Sequence, residues 1–495
     1  MNHRNWLLGV AVLLVLGSEC ALAQDAAEQA KAINLAITRG VDYLRGIQAP
    51  DGTWPRQQEV GATSLAGLTL LECGIPANDP AVQKAAEVTR KACLTFRTVY
   101  PITTAIFFLD KLGDPQDVPL IEALGVQLLA GQDRKLGAWG YPCPPLPPAQ
   151  AARLAEVIKN RKPEAPKEAA VTLPRRVTDL PKDIRDWLRQ IYSTPPVDAL
   201  ADHSNTQLAI MALWVSRRYG VPVDLALRAT EIRFRRCQYP SGGWSYQFPI
   251  RADGMPSAQE LAASELYKPT ASMTCTGLMA LAFSHGTLDN TKADPKKTLG
   301  ADLQVRQGLL ALGTFIGNPM GDVRKGAILE KPGHMYYFLW TLERTAVIYG
   351  LKTIGNKDWY QWGAEVLLAN QQANGSWVGD YAAGGPDTCF ALLFLKRANA
   401  AEDLSKRLQG QGKDPGEASP KLQEMINLQF HPSDLKKRKK TEPQPPPGKQ
   451  GALRFPDRGP VRSATATASA EATRTVPRDP IVWTRRTPAD PCGCC

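Results

Sequence analysis

Apolar residues recur at helical spacing from residue 26 to residue 398, and the stretches come in two kinds. One kind is typified by AINLAITRGVDYLRGIQ and WYQWGAEVLLANQQ. The other is rich in small and apolar residues, as in GATSLAGLTLLECG, SNTQLAIMALW, TASMTCTGLMALAF and TCFALLFLKRA. Taking the first kind as outer helices and the second as inner ones predicts helical hairpins that pair 26–47 with 61–73, 80–94 with 100–112, 117–132 with 203–219, 223–237 with 270–285, 300–316 with 335–350, and 357–372 with 387–398. Six such hairpins bury their inner faces by closing into a ring. The expected fold is therefore all-α, an α6/α6 toroid spanning residues 24–400.

A short turn recurs between the two kinds of helix. It reads QAPDGTW from Gln48 through Gly52 to Trp54, QDRKLGAW from Gln132 through Gly137 to Trp139, QYPSGGW from Gln238 through Gly242 to Trp244, and QQANGSW from Gln371 through Gly375 to Trp377. A helix leaves its last carbonyls without partners, and glycine is the residue that takes the left-handed conformation there. Glutamine is expected to bond those loose groups. Tryptophan is expected to cover the helix end while its indole N–H finds an acceptor.

The ends of the chain have a different character. MNHRNW followed by the apolar run LLGVAVLLVLG and ALA ending at Ala23 reads as an export signal over residues 1–23, too short to span a bilayer. Residues flanking Cys20 disfavour a lipoprotein site. From residue 401 onward there are 17 Lys and Arg against 11 Asp and Glu, more than half of the net +11. That segment, 401–495, has few core-forming residues and is expected to be a largely disordered basic, Pro-rich tail. Its basic run suits peripheral contact with an anionic surface. No stretch reads as a nucleic-acid module.

Ten cysteines do not make a disulfide framework. Cys73, Cys93, Cys237, Cys275 and Cys389 sit in apolar helical runs, where a small buried thiol is expected, and Cys492, Cys494 and Cys495 end the chain as CGCC. A polar, proline-rich insertion at 143–201 interrupts the third hairpin and has helical pattern at DIRDWLRQIY. It reads either as a cover over a mouth or as a surface elaboration.

Glutamine-glycine-tryptophan turns on six helical hairpins resemble the terpenoid cyclase and protein prenyltransferase superfamily, that is, the squalene–hopene cyclases and the prenyltransferase β subunits. The resemblance covers residues 26–399 and implies the toroid, with an apolar central cavity suited to an isoprenoid or other lipid-like ligand. Class II triterpene cyclases open the third inner helix with Asp-x-Asp-Asp-Thr. The corresponding stretch here is Asp202-His203-Ser204-Asn205-Thr206. Asp202 and Thr206 match, but Ser204 stands where the proton donor should be, and a serine hydroxyl cannot protonate an alkene. These residues at the cavity mouth are equally suited to capping a helix.

The resemblance also implies a cavity lining, for which Tyr336, Phe338, Trp340 and Tyr349 in YYFLWTLERTAVIYG are the candidates beside a core-filling role. Prenyltransferase β subunits hold zinc with an Asp-x-Cys pair and a histidine. Asp387 and Cys389 match the pair, and His334 is the candidate third ligand, although in that family the histidine follows the pair in the chain. Zinc is thus the one cofactor to test, against capping by Asp387 and His334 and burial of Cys389. Glu343 beside Arg344 reads as an ion pair. A carbohydrate-active α6/α6 enzyme recruiting Asp202, Glu59 and Glu343 is a lesser alternative, and the Gly-Cys-Gly-Glu-Gln run of complement-type thioester domains is absent.

Overall fold

The computed structural model describes residues 27–54, 59–162, 173–195, 201–250, 256–287, 302–317, 330, 332–398 and 401–408, all within the unit Met1–Leu428. The second unit of the chain, Gln429–Gly493, lies outside the described residues, as do the segment 1–23 expected to be an export signal and the terminal CGCC. The protein is mostly helical. In chain order the helices are α1 (27–46), α2 (Glu59–Glu72), α3 (Pro80–Ala92), α4 (Val99–Leu112), α5 (Val118–Ala130), α6 (Pro148–Lys159), α7 (Lys182–Ser193), α8 (His203–Arg217), α9 (Asp224–Cys237), α10 (Ala258–Ala262), α11 (Ala271–Thr287), α12 (Leu303–Gly313), α13 (Met335–Tyr349), α14 (Trp359–Asn370), α15 (Pro386–Lys396) and α16 (Glu402–Leu408). The strands among the described residues are two-residue antiparallel pairs, Trp244–Ser245 with Pro269–Thr270 and Thr353–Ile354 with Lys357–Asp358.

Burial separates the two kinds of helix as their composition demands. In α8 every residue from His203 to Ser216 is buried, and in α4 every residue from Val99 to Leu109. A helix apolar all round has to be enclosed on every side. In α3, by contrast, only Val82, Ala85, Ala86, Thr89 and Arg90 are buried, a single stripe at helical spacing. The buried helices pack in series, α2 on α4, α4 on α8, α8 on α11, α11 on α13 and α13 on α15, and α15 packs back on α2.

The repeated turns stitch one hairpin to the next. Each tryptophan indole N–H bonds a carbonyl in the last turn of the preceding outer helix: Trp54 to Leu44 at 2.9 Å, Trp139 to Leu128 at 2.7 Å, Trp244 to Phe234 and Trp377 to Leu367 both at 2.8 Å. The glutamines do something other than the expected bonding of their own helix end. Gln48 donates to Gly52 in its own turn and to Ala81 at the start of α3, at 3.1 and 3.0 Å. Gln238 likewise bridges Gly242 and Gln304 in α12, and Gln132 reaches Ala226 in α9. Gln371 bonds Gly375 at 3.0 Å and Ala36 of α1 at 2.9 Å, joining the last hairpin to the first.

Glycine is required two residues before the tryptophan for two reasons that coincide. Gly242 and Gly375 have φ of 87° and 91°, and a Cβ on either would lie 2.3 Å from a carbonyl oxygen of the neighbouring outer helix, that of Gln307 or of Arg39. Threonine completes the unit: the tryptophan backbone N–H donates to Thr63, Thr206, Thr274 or Thr388 in the following buried helix, at 3.1, 3.0, 3.3 and 3.1 Å.

One open alternative is narrowed and one boundary needs correction. The described part of the insertion packs on the outer wall, α6 against α3 and α5 and α7 against α5, so it is a surface elaboration and not a cover over the buried helices' N-termini. It also brings a second helix, α6, that the sequence reading missed. And helical packing does not stop at residue 400: α16 lies on α13 and α11, with Leu404 fully buried.

The turn geometry gives a paired test. Gly375→Ala meets both the φ strain and the Arg39 carbonyl, whereas Gly74→Ala meets φ of 91° with nothing within 4 Å of the added carbon. Both should lose about 1–3 kcal/mol from the strained backbone, and Gly375→Ala should lose measurably more in denaturant titration. Equal losses would show that the close approach of α1 is unimportant.

Candidate functional site

Four of the five residues in the Asp202–Thr206 stretch are committed to structure. Asp202 caps α8, its Oδ1 accepting from the Asn205 backbone N–H and its Oδ2 from the Asn205 side-chain amide, both at 2.7 Å. Thr206 Oγ1 accepts from the Trp139 backbone N–H and donates to the Asp202 carbonyl at 2.6 Å. His203 has Nδ1 at 2.6 Å from the Ser245 carbonyl while Nε2 faces the Arg233 Nε–H at 3.1 Å, an arrangement that places its proton on Nδ1. Burial, aided by Arg233, pushes its pKa well below the ordinary value, so the imidazole is neutral.

Ser204 is the member that faces a shared space. Its Oγ lies 2.7 Å from the hydroxyls of both Tyr100 at the start of α4 and Tyr337 at the start of α13. Tyr337 continues to Gln207 Oε1 at 3.3 Å, which also accepts from Thr276 of α11 at 2.5 Å. A buried chain of hydroxyls thus joins four of the buried helices. Neither tyrosine was singled out from the sequence. The signal was positional: Tyr100 and Ser204 are each the second residue of their helices and Tyr337 the third.

An apolar pocket adjoins this network, lined among others by Leu65, Tyr100, Leu208, Tyr337, Trp340 and Phe390. Its free volume is about 20 Å³, room for about one water. The space is filled by the protein's own rings: Trp340 stacks on Phe390 with centroids 4.8 Å apart. Of the four expected lining residues, Trp340 alone is in this wall. Phe338 turns to Phe315 and Trp362, and the Tyr349 hydroxyl bonds the Leu278 carbonyl at 2.8 Å. At 100° per residue, positions 338 and 349 lie opposite Trp340 on α13, whereas 337 lies beside it. Tyr336 is on the near side but its ring abuts Gly379 in the loop before α15.

The residues proposed for zinc do not converge. Asp387 is inside α15 and not its cap, because Pro386 opens the helix and Gly385 takes the cap position. Its Oδ2 accepts from the backbone N–H groups of Gly379 and Tyr381, at 2.7 and 3.0 Å. His334 stacks on Tyr381, with Nε2 3.1 Å from the tyrosine hydroxyl and 3.3 Å from Asp380 Oδ2. Cys389 is directed at Thr69 of α2, and burial pushes its thiol up to about 12, the opposite of what a metal-bound thiolate needs. Among the described residues no group of three or more His, Cys, Asp or Glu side chains is arranged to hold a metal. The observed donor set does not fit the ion.

Glu343 and Arg344 are both buried, but they do not form the expected ion pair. Neither carboxylate oxygen of Glu343 has a hydrogen-bond partner. Burial pushes its pKa well above the ordinary range against the pull of Arg344. The paired carboxylates of a glycosidase are not assembled either: Asp202 caps α8 at its N-terminus, Glu343 is in mid-α13 with Glu72 of α2 as its carboxylate neighbour, and the Glu59 side chain lies outside the described residues. The described cysteines are free thiols, five buried and Cys73 half-buried.

No known family model matches the chain, and no curated protein matches it. Among the described residues no helix is long and apolar enough to cross a membrane.

Two outcomes follow from this geometry. Ser204→Ala removes the group shared by two buried phenols and should cost about 1–3 kcal/mol of unfolding free energy; a cost near zero would mean the phenols pair directly. Burial, outweighing the Asn205 bonds, lifts Asp202 from 3.8 to about 6. Its protonated form is then favoured by folding, so stability falls as pH rises from about 4 to about 6, by up to about 3 kcal/mol, and is level above that. Asn caps equally well, so Asp202→Asn should gain on the wild type across that window in pH-dependent denaturation. A difference independent of pH would place the Asp202 pKa at its ordinary value.

Proposed function

We propose that this chain is an exported α6/α6 toroid related to the squalene cyclases and prenyltransferase β subunits, that it binds an isoprenoid or other lipid-like ligand, and that it does not cyclise squalene. Support for the toroid comes from the series of buried helices that returns from α15 to α2 and from the Gln371 bridge to α1. The observation that carries the ligand reading is the pocket of Leu65, Tyr100, Leu208, Tyr337, Trp340 and Phe390 at the N-terminal ends of the buried helices. Its wall is aromatic and aliphatic, and the phenol hydroxyls are turned to Ser204 and Gln207, away from the task of binding a polar ligand.

A space of this size admits the tip of an apolar chain. A longer ligand enters by parting the stack of Trp340 and Phe390. Alkene protonation has no donor here, since Ser204 is not an acid and Asp202 is both a cap and, with its raised pKa, a weaker acid than an ordinary aspartate.

Titration calorimetry with farnesol tests the reading. Wild-type protein should bind one equivalent, and Ala62→Leu, which adds bulk to the pocket wall on α2, should bind at least about tenfold more weakly, as expected when a pocket is overfilled. Absence of binding, or equal binding by Ala62→Leu, ends it. Incubation with squalene should return squalene unchanged, and a pentacyclic product would overturn the exclusion of cyclase chemistry.

A further inference from the structure

Below Trp340 the interior of the toroid holds two polar groups that the fold leaves unused. Arg344 is 4% exposed. Its guanidinium lies 3.5 Å over the Trp340 ring, and its bonds are to the Met211 thioether at 3.3 Å and, at 3.5 Å, to the Thr341 hydroxyl. No carboxylate bonds it, and its Nε–H has no acceptor. Glu343, fully buried, has both oxygens without a partner.

Buried charges and polar atoms are ordinarily paired, because each one left unmade costs the desolvation of its group. Two such groups on consecutive residues of one helix, next to a ring that lines the apolar pocket, are poorly explained by stability. Apolar side chains of the same volume at both positions would leave the scaffold as stable or more so.

We propose that Arg344 and Glu343 form an internal subsite that receives the carboxylate of an apolar-chain acid. This rests on the ligand reading above and names the ligand's polar end. The carboxylate accepts from the Arg344 Nε–H and from the Glu343 carboxyl proton, two charge-assisted bonds in a dry interior. Burial raises the Glu343 pKa and so favours the protonated form, which can donate. The chain of the ligand then runs past Trp340 and Phe390 toward the helix N-termini. With Arg344 and Arg397 as cationic neighbours of the carboxyl and Glu72 as an acidic one, the charge left over matches a single negative charge. A diphosphate would meet too little positive charge.

The experiment compares farnesoic acid with farnesol by calorimetry, on the wild type, Arg344→Met, Arg344→Lys and Glu343→Gln. In the wild type the acid should bind at least about tenfold more tightly than the alcohol, the ratio expected for hydrogen bonds to a charged group. Arg344→Met should lose that preference while still binding farnesol, and its melting temperature should stay level or rise. Arg344→Lys keeps the charge and should keep part of the preference. Glu343→Gln keeps a neutral donor and should stay within a few-fold of the wild type. Equal affinity for acid and alcohol in the wild type would overturn the subsite and leave the apolar pocket standing. Binding of neither would end both. Tighter binding of farnesyl diphosphate than of the acid would also overturn it.

Discussion

The close approach of each repeated turn to the next outer helix is the constraint on which the other features rest. Where a glycine sits with φ near 90° and a neighbouring carbonyl within 3.0 Å of its missing Cβ, as at Gly52, Gly242 and Gly375, two hairpins are drawn together backbone to backbone. The glutamine amide then has a carbonyl from each side within reach, and both are taken. Tryptophan seals the junction, each of the four being at most 1% exposed, and truncating a ring so enclosed costs about 3–5 kcal/mol. Two junctions lack the turn and use other chemistry. Between α3 and α5, Arg90 makes a bidentate pair with buried Asp117 at 2.8 and 2.7 Å. Between α12 and α14, Gly313 packs against Gly355 and Lys357 bonds the carbonyls that end α12.

The junctions reach the buried layer through the threonines that receive the tryptophan N–H groups. Its N-terminal ends hold the hydroxyl chain from Tyr100 through Ser204 and Tyr337 to Gln207 and Thr276. A network satisfied along its length fixes the relative rotation of four helices, since each hydroxyl has one geometry that serves its neighbours. The pocket beside it inherits walls that are set by this network, and Trp340 and Phe390 close it from below.

Hairpin boundaries were legible because two physical signals agree, the helical period and the glycine that ends it. The chemistry was less so. Aromatic richness in the stretch matched to the implied cavity marked Phe338 and Tyr349 as lining candidates, yet a helix turns by 100° per residue and carried both away from Trp340. Tyr337, next in the chain to two of the candidates, went unmarked and lines the pocket together with Trp340. For the metal, the Asp387-Thr388-Cys389 spacing was right and the backbone was not: Pro386 starts the helix one residue early, so the carboxylate swings to the 379–381 loop while the thiol faces α2. The place of the insertion could not be read, because it is held by partners dozens of residues away, through the buried face of Ile184, Trp187, Leu188 and Ile191 and ion pairs such as Arg161 with Asp114 and Arg175 with Glu122.

Stability and use diverge most clearly inside α13. Over most of the interior, polar groups are bonded to one another; buried Arg233 donates its Nε–H to the His203 ring nitrogen and leaves one Nη without a partner. Glu343 and Arg344 break that rule within two residues, on a helix whose other polar side chains, Thr341 and Thr345, bond back to the carbonyls of Tyr337 and Thr341. Selection for folding alone would remove such a pair, since replacement by apolar residues is neutral or stabilising. The subsite proposed above would supply the missing acceptor, since the two oxygens of a carboxylate can take a guanidinium N–H and a carboxyl proton together.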